Sequence, residues 1–170
     1  MSVTTANAPA SNARVASANT HPGSPLDWTT DRRWRVPCPI DRPILEFLQR
    51  RLRATRQVSR ATVTDTSGHL GLRVVVAPSY YPASVDDAIL SVRWYTNDDF
   101  TIHYREVYSE HNWQCRWDRH PNPHNARDHV HPPPTAPTSG DDHSRLTDHR
   151  AVLRGVLDEV EARIAALWDE

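Results

Sequence analysis

The chain predicts an α+β fold, with one antiparallel sheet of about five strands and helices packed on one of its faces. Three observations carry this. Apolar residues recur with a period of two through most of residues 58–118, they recur at helical spacing on either side of that span, and a His/Pro-rich loop separates the last strand from the C-terminal helix. Strands that follow one another with short turns pair antiparallel, and such a sheet needs only one covered face.

Residues 1–27 are mostly Ala, Ser, Thr, Asn and Pro. Such a stretch cannot bury enough apolar surface to offset its ordering entropy, so a disordered tail is expected there, followed by one domain over 28–170. Trp28 and Trp34 are expected to dock onto that domain. Pro37, Pro39 and Pro43 punctuate the entry to a helix from about Asp41 to Thr55, where Ile44, Leu45, Leu48 and Leu52 form the apolar stripe. Strands are expected at about 58–66, 70–77, 88–95, 100–108 and 112–118. Turn chemistry stands between them at Ser67-Gly68, Pro78 to Pro82 and Asn97-Asp98. A connector from Pro132 to Asp142 leads to a final helix from about Thr147, striped by Leu153, Val156, Leu157, Val160, Ile164 and Leu167.

Alternation sorts the strand residues. Leu72, Val74, Val76, Leu90, Val92, Trp94, Phe100, Ile102, Tyr104, Trp113, Cys115 and Trp117 take the helix side. Arg73, Arg93, His103, Arg105, Arg116 and Asp118 take the other side, with Tyr95 beside them. Glu106 falls on the apolar parity, which requires a sheet end or an arginine partner. Tryptophans on the same period-two face, as at Trp113 and Trp117, read as core.

Composition bounds the function. Apolar residues are 38 % of the 170, below the roughly 45–50 % of ordinary domains, in keeping with a tail. All twenty basic residues are arginine, in the manner of a GC-rich genome, and the formal charge is −1. The charge is unevenly spread: residues 31–60 carry a net +6 and residues 141–170 a net −4. Cys38 and Cys115 make no disulfide framework and no apolar run is long enough to span a membrane, so a reduced, cytoplasmic protein is expected.

Chemistry concentrates in Trp117 to Pro134, W-D-R-H-P-N-P-H-N-A-R-D-H-V-H-P-P-P. Imidazole exchanges protons near neutral pH or ligates metal when neutral. One reading is metal-free acid–base chemistry: one imidazole among His124, His129 and His131 accepts a 2′-hydroxyl proton, another protonates the departing 5′-oxygen, and Arg105 steadies the phosphoryl oxygens. No cofactor is then required. A second reading takes His120, His124, His129 and His131 as ligands for zinc or another divalent metal, although no H-E-x-x-H or C-x-x-C spacing is present. The plain alternative is a surface loop rich in histidine. Arg73, Arg93 and Arg116, with His103 and Tyr95, form a cationic face suited to the phosphates and bases of single-stranded RNA, or simply a solvated sheet face.

His103-Tyr104-Arg105-Glu106, Arg116-Trp117-Asp118 and the loop ending His129-Val130-His131 together resemble the TumE family of toxin components of toxin–antitoxin modules. The resemblance runs over roughly residues 85–168 and leaves out the first helix. It departs from the family pattern where a doubled histidine is replaced by the separated His120 and His124, which weakens the carry-over at His120, and a Phe-Pro before the last histidines is missing. It implies growth inhibition exerted through RNA and neutralised by a cognate antitoxin protein. An endoribonuclease is the leading expectation. A metal-dependent nuclease, and a non-catalytic RNA- or protein-binding module, stand as alternatives; a homodimer is an open option.

Overall fold

The computed structural model describes residues 38–66, 69–144 and 147–169. The expected tail over 1–27, the docking of Trp28 and Trp34, and the Ser67-Gly68 turn lie outside these residues. Helix α1 (Arg42–Arg53) starts where Asp41 accepts a hydrogen bond from the Ile44 amide at 3.0 Å, with a proline in its first turn. It buries Leu45, Leu48 and Leu52.

Strands β1 (Val58–Thr66), β2 (His69–Val76), β3 (Asp87–Trp94), β4 (Phe100–Val107) and β5 (Asn112–Arg119) follow, each pairing antiparallel with the next. They lie within a residue or so of the expected spans. Two further strands extend the sheet to seven, in sequential order: β6 (Asp128–His131) and β7 (Asp141–Asp142). The expectation of about five strands with a His/Pro loop is corrected at this point, because part of that loop is sheet. Val130 pairs with Trp117 and packs against the core, so Asp128-His129-Val130-His131 has a strand's alternation despite the prolines around it. The bidentate Arg119–Asp128 pair, at 2.6 and 2.8 Å, fastens β6 to the end of β5.

Helix α2 (His149–Asp169) begins at Asp148, whose Oδ1 accepts from the amides of Arg150 and Ala151. It buries Val152, Leu153, Val156, Val160, Ile164 and Leu167, which join α1 and the apolar parity of β2 to β5 in one core. Glu106 is fully buried on this side. It accepts from Tyr104 Oη at 2.9 Å, Tyr108 Oη at 2.7 Å and Arg163 Nη2 of α2 at 3.1 Å, so an arginine partner accounts for its parity. Trp117 Nε1 donates to Glu159 at 2.8 Å, a second polar tie from sheet to α2. Among the described residues no helix is long and apolar enough to cross a membrane.

Candidate functional site

The face away from the helices is laid out by register. Arg73, Ser91, His103, Arg116 and His131 form one cross-strand row over β2 to β6, and Arg93, Thr101, Asp118, His129 and Asp142 form the next over β3 to β7. Directly paired residues share a face, so the two histidines of β6 stand beside Arg116 and Asp118 of β5. The loop leaving β5 carries His120 onto the same group.

Three imidazoles and one guanidinium converge on Asp118. Its Oδ2 lies 2.8 Å from Arg116 Nε, and 3.2, 3.6 and 3.8 Å from the Nε2 atoms of His131, His120 and His129. Ring centroids are 4.9 Å apart between His120 and His129 and 5.0 Å apart between His129 and His131. The carboxylate is buried, with 2 % of its side chain exposed, and its Oδ1 has no hydrogen-bond partner among the described residues. Burial alone would raise the Asp118 carboxyl, but the close approach of His120 and His131 and the charge of Arg116 outweigh it and hold the group well below the usual carboxylate range.

The other nitrogen of each ring faces a backbone carbonyl, which can only accept. His131 Nδ1 donates to Pro137 O at 2.5 Å, His129 Nδ1 to Ala126 O at 3.1 Å and His120 Nδ1 to Pro121 O at 3.2 Å. Asn122 Nδ2 also approaches His129 Nδ1, at 3.3 Å. The opposite tautomer would leave His129 Nε2–H 3.8 Å from Asp118, beyond hydrogen-bonding reach, so the nearer Ala126 carbonyl decides. At His131 the tautomer is set from both ends, because Arg116 Nη2 donates to Nε2 at 2.7 Å. Burial, with the neighbouring His120 and His131, lowers the His129 pKa; hydrogen bonding to Asp118 raises that of His120 against its burial.

Exposure divides the group. His129 and His131 have only 2 % and 4 % of their side chains exposed, whereas His120 has 42 %. The cover over the buried pair is the backbone entering β7. A Cβ at Gly140 would stand 2.9 Å from Val130 O, 3.2 Å from His129 Cδ2 and 3.4 Å from His131 Cε1, so only glycine permits that approach.

Of the residues singled out in the sequence, His129, His131, Arg116 and His120 are brought together. His124 is exposed, with its amide held by Asn122 Oδ1, and no contact among the described residues ties its ring to the cluster. Arg105 is exposed on the same face, paired with Gln114 and two strands from His131, so Arg116 is the guanidinium at the centre. His103 Nε2 bonds Gln114 Oε1 at 3.0 Å, and its pKa is lowered by burial and by Arg116 and Arg105. Arg73 lies 3.6 Å from Asp87, Arg93 occupies the second row, and Tyr95 extends β3 half-buried on the same parity. Asp118 as the hub, and Gly140 and Asn122 around it, were not foreseen; Asp118 was marked only by its parity with Arg116 and by its place in Arg116-Trp117-Asp118.

One Oδ of Asp118 and one nitrogen each of His120 and His129 lie within 4.8 Å of one another, a spacing that can hold a metal ion. No curated protein and no solved structure matches the chain. A family model described as toxin TumE matches residues 41–164, and so takes in α1, β1 and β2, which the sequence resemblance had left out. With that match covering most of its length, the chain belongs to the TumE family of toxins, components of toxin–antitoxin modules that imply a cognate antitoxin as partner.

Proposed function

We propose that this toxin cleaves single-stranded RNA at the Asp118 centre by proton transfer that needs no metal. The observation that carries the reading is the convergence of His120, His129, His131 and Arg116 on one buried carboxylate, on the sheet face that also bears Arg73, Arg93 and Arg105. Accessibility separates the roles. His120 is the imidazole that can meet a polymer: its Nε2 takes the proton of a 2′-hydroxyl as that oxygen attacks phosphorus, and the departing 5′-oxygen takes a proton from water. The Pro121 carbonyl at Nδ1 orients His120, and the nearby Asp118 carboxylate stabilises the imidazolium formed.

His129 and His131 act from beneath. His131 accepts from Arg116 and so aims that guanidinium, and His129 packs edge-on against His120. Arg116 neutralises charge as it develops on the phosphoryl oxygens. Arg73, Arg93 and Arg105, with His103 and Tyr95, receive the flanking phosphates and bases.

The test pairs cleavage with binding. Purified wild-type protein is expected to cut a single-stranded RNA in the presence of EDTA, and expression without an antitoxin to arrest growth. Replacing His129 and His131 together by alanine is expected to abolish cleavage while RNA binding stays within about tenfold. Loss of binding to the same degree as cleavage would favour a non-catalytic module, and cleavage abolished by EDTA would reject the metal-free route.

A further inference from the structure

We propose that Asp118, His120 and His129 form a binding site for a divalent transition metal of the zinc type, and that an ion there blocks the proton transfer assigned to His120. The first part rests on geometry alone; the second rests on the ribonuclease reading.

With each Nδ1 donating to a backbone carbonyl, the neutral imidazoles of His120 and His129 present Nε2 lone pairs, and both face a carboxylate oxygen. Lone pairs aimed at an anion repel it unless a cation intervenes. A proton satisfies one such contact, whereas a metal ion satisfies all of them at once. Backbone carbonyls holding Nδ1 are also the outer partners that metal-bound histidines ordinarily have.

Spacing and donor type agree. Ligands ~2.0–2.2 Å from a tetrahedral zinc stand roughly 3.3–3.6 Å from one another. The Nε2 atoms of His120 and His129 lie 3.6 and 3.8 Å from Asp118 Oδ2, and the three donor atoms all lie within 4.8 Å of one another, so shifts of about an ångström bring them onto one ion. The orphaned Asp118 Oδ1 is an independent sign, since a buried carboxylate oxygen with no donor lacks the partner such atoms normally have. Arg116 is the opposing charge. Its Nε engages Oδ2 and its Nη2 engages His131 Nε2, which withdraws His131 from the ligand set. Two imidazoles and one carboxylate select zinc, cobalt, nickel or copper over magnesium or calcium. His120, with 42 % of its side chain exposed, leaves the outer coordination positions toward solvent.

The consequence follows from electron pairs. The Nε2 pair of His120 that would accept the 2′-hydroxyl proton is the pair the metal takes, so occupancy and proton transfer exclude one another.

Metal-free full-length protein titrated with Co²⁺, followed by visible absorption, and with Zn²⁺ by calorimetry, is expected to bind one ion per chain. His120→Ala and Asp118→Asn are expected to weaken binding at least about tenfold; His120→Ala keeps the test decisive should Asp118→Asn fail to fold. His111→Ala, on the turn at the other end of β5, is expected to bind like wild type. Absence of binding, or equal affinity in His120→Ala and wild type, overturns the site. Added Zn²⁺ is expected to suppress cleavage of RNA; faster cleavage with Zn²⁺ overturns the blocking role. If no condition yields cleavage, the ribonuclease reading fails, and the binding titration still decides the site.

Discussion

Asp118 sits two residues after Arg116 on β5, a spacing that puts both side chains on one face of a strand. The sequence therefore showed which face the carboxylate takes, but not that it would be the hub, because the residues that enclose it come from β6, the loop after β5 and the entry to β7. His120 shows the same limit. Its place in the chain departs from the family pattern, yet loop geometry brings it nearer to Asp118 than His129 is. Asp118→Asn keeps the shape and removes the charge that Arg116 meets at 2.8 Å. Breaking one partner of a buried pair costs about 3–5 kcal/mol, and urea unfolding should show a loss of that order. Gly140→Ala pushes a methyl into Val130 O and the two buried rings. A loss of about 1–3 kcal/mol is expected, read as a lowered melting temperature, together with weaker cleavage as the rings shift.

At the level of elements, the two helices and the first five strands were legible because their patterns are local: Leu45, Leu48 and Leu52 recur at helical spacing, and Leu72, Val74 and Val76 alternate. Strand β6 was missed although His129-Val130-His131 alternates as a strand should, because four residues between prolines read more naturally as a loop. Strand β7, of two acidic residues, has no apolar pattern to betray it. The clasp between Glu106 on β4 and Arg163 on α2 was half visible: parity required a sheet end or an arginine for Glu106, but did not show which arginine. That clasp holds α2 to the sheet through a fully buried carboxylate, and Arg163 also stacks over Trp113 at 4.6 Å. Arg163→Met leaves the Glu106 charge buried with only its two tyrosine donors. A loss of about 3–5 kcal/mol is expected in equilibrium unfolding. Glu106→Gln in the same background should recover part of it, since the buried charge is then gone.

Across the whole molecule, the fold separates the hydrophobic core from the proposed site. One sheet face holds the core and both helices, while the other carries a cationic surface with the Asp118 cluster toward its β6–β7 edge. The N-terminal net charge of +6 and the C-terminal −4 do not enter that arrangement directly; the arginines of the open face come from the middle strands. If RNA lies along this surface, Arg105→Ala removes one phosphate contact without touching Asp118. Its plot of log affinity against log salt should then be shallower by about 0.7 for a single strand. An unchanged slope would mean that Arg105 faces solvent alone.

The most direct test of the central claim is cleavage of a single-stranded RNA under single-turnover conditions by metal-free wild-type and His120→Ala proteins, with RNA affinity measured on the same samples. The account predicts a fall in cleavage of about 100-fold or more with affinity kept within about tenfold. Equal cleavage by the two proteins would contradict it.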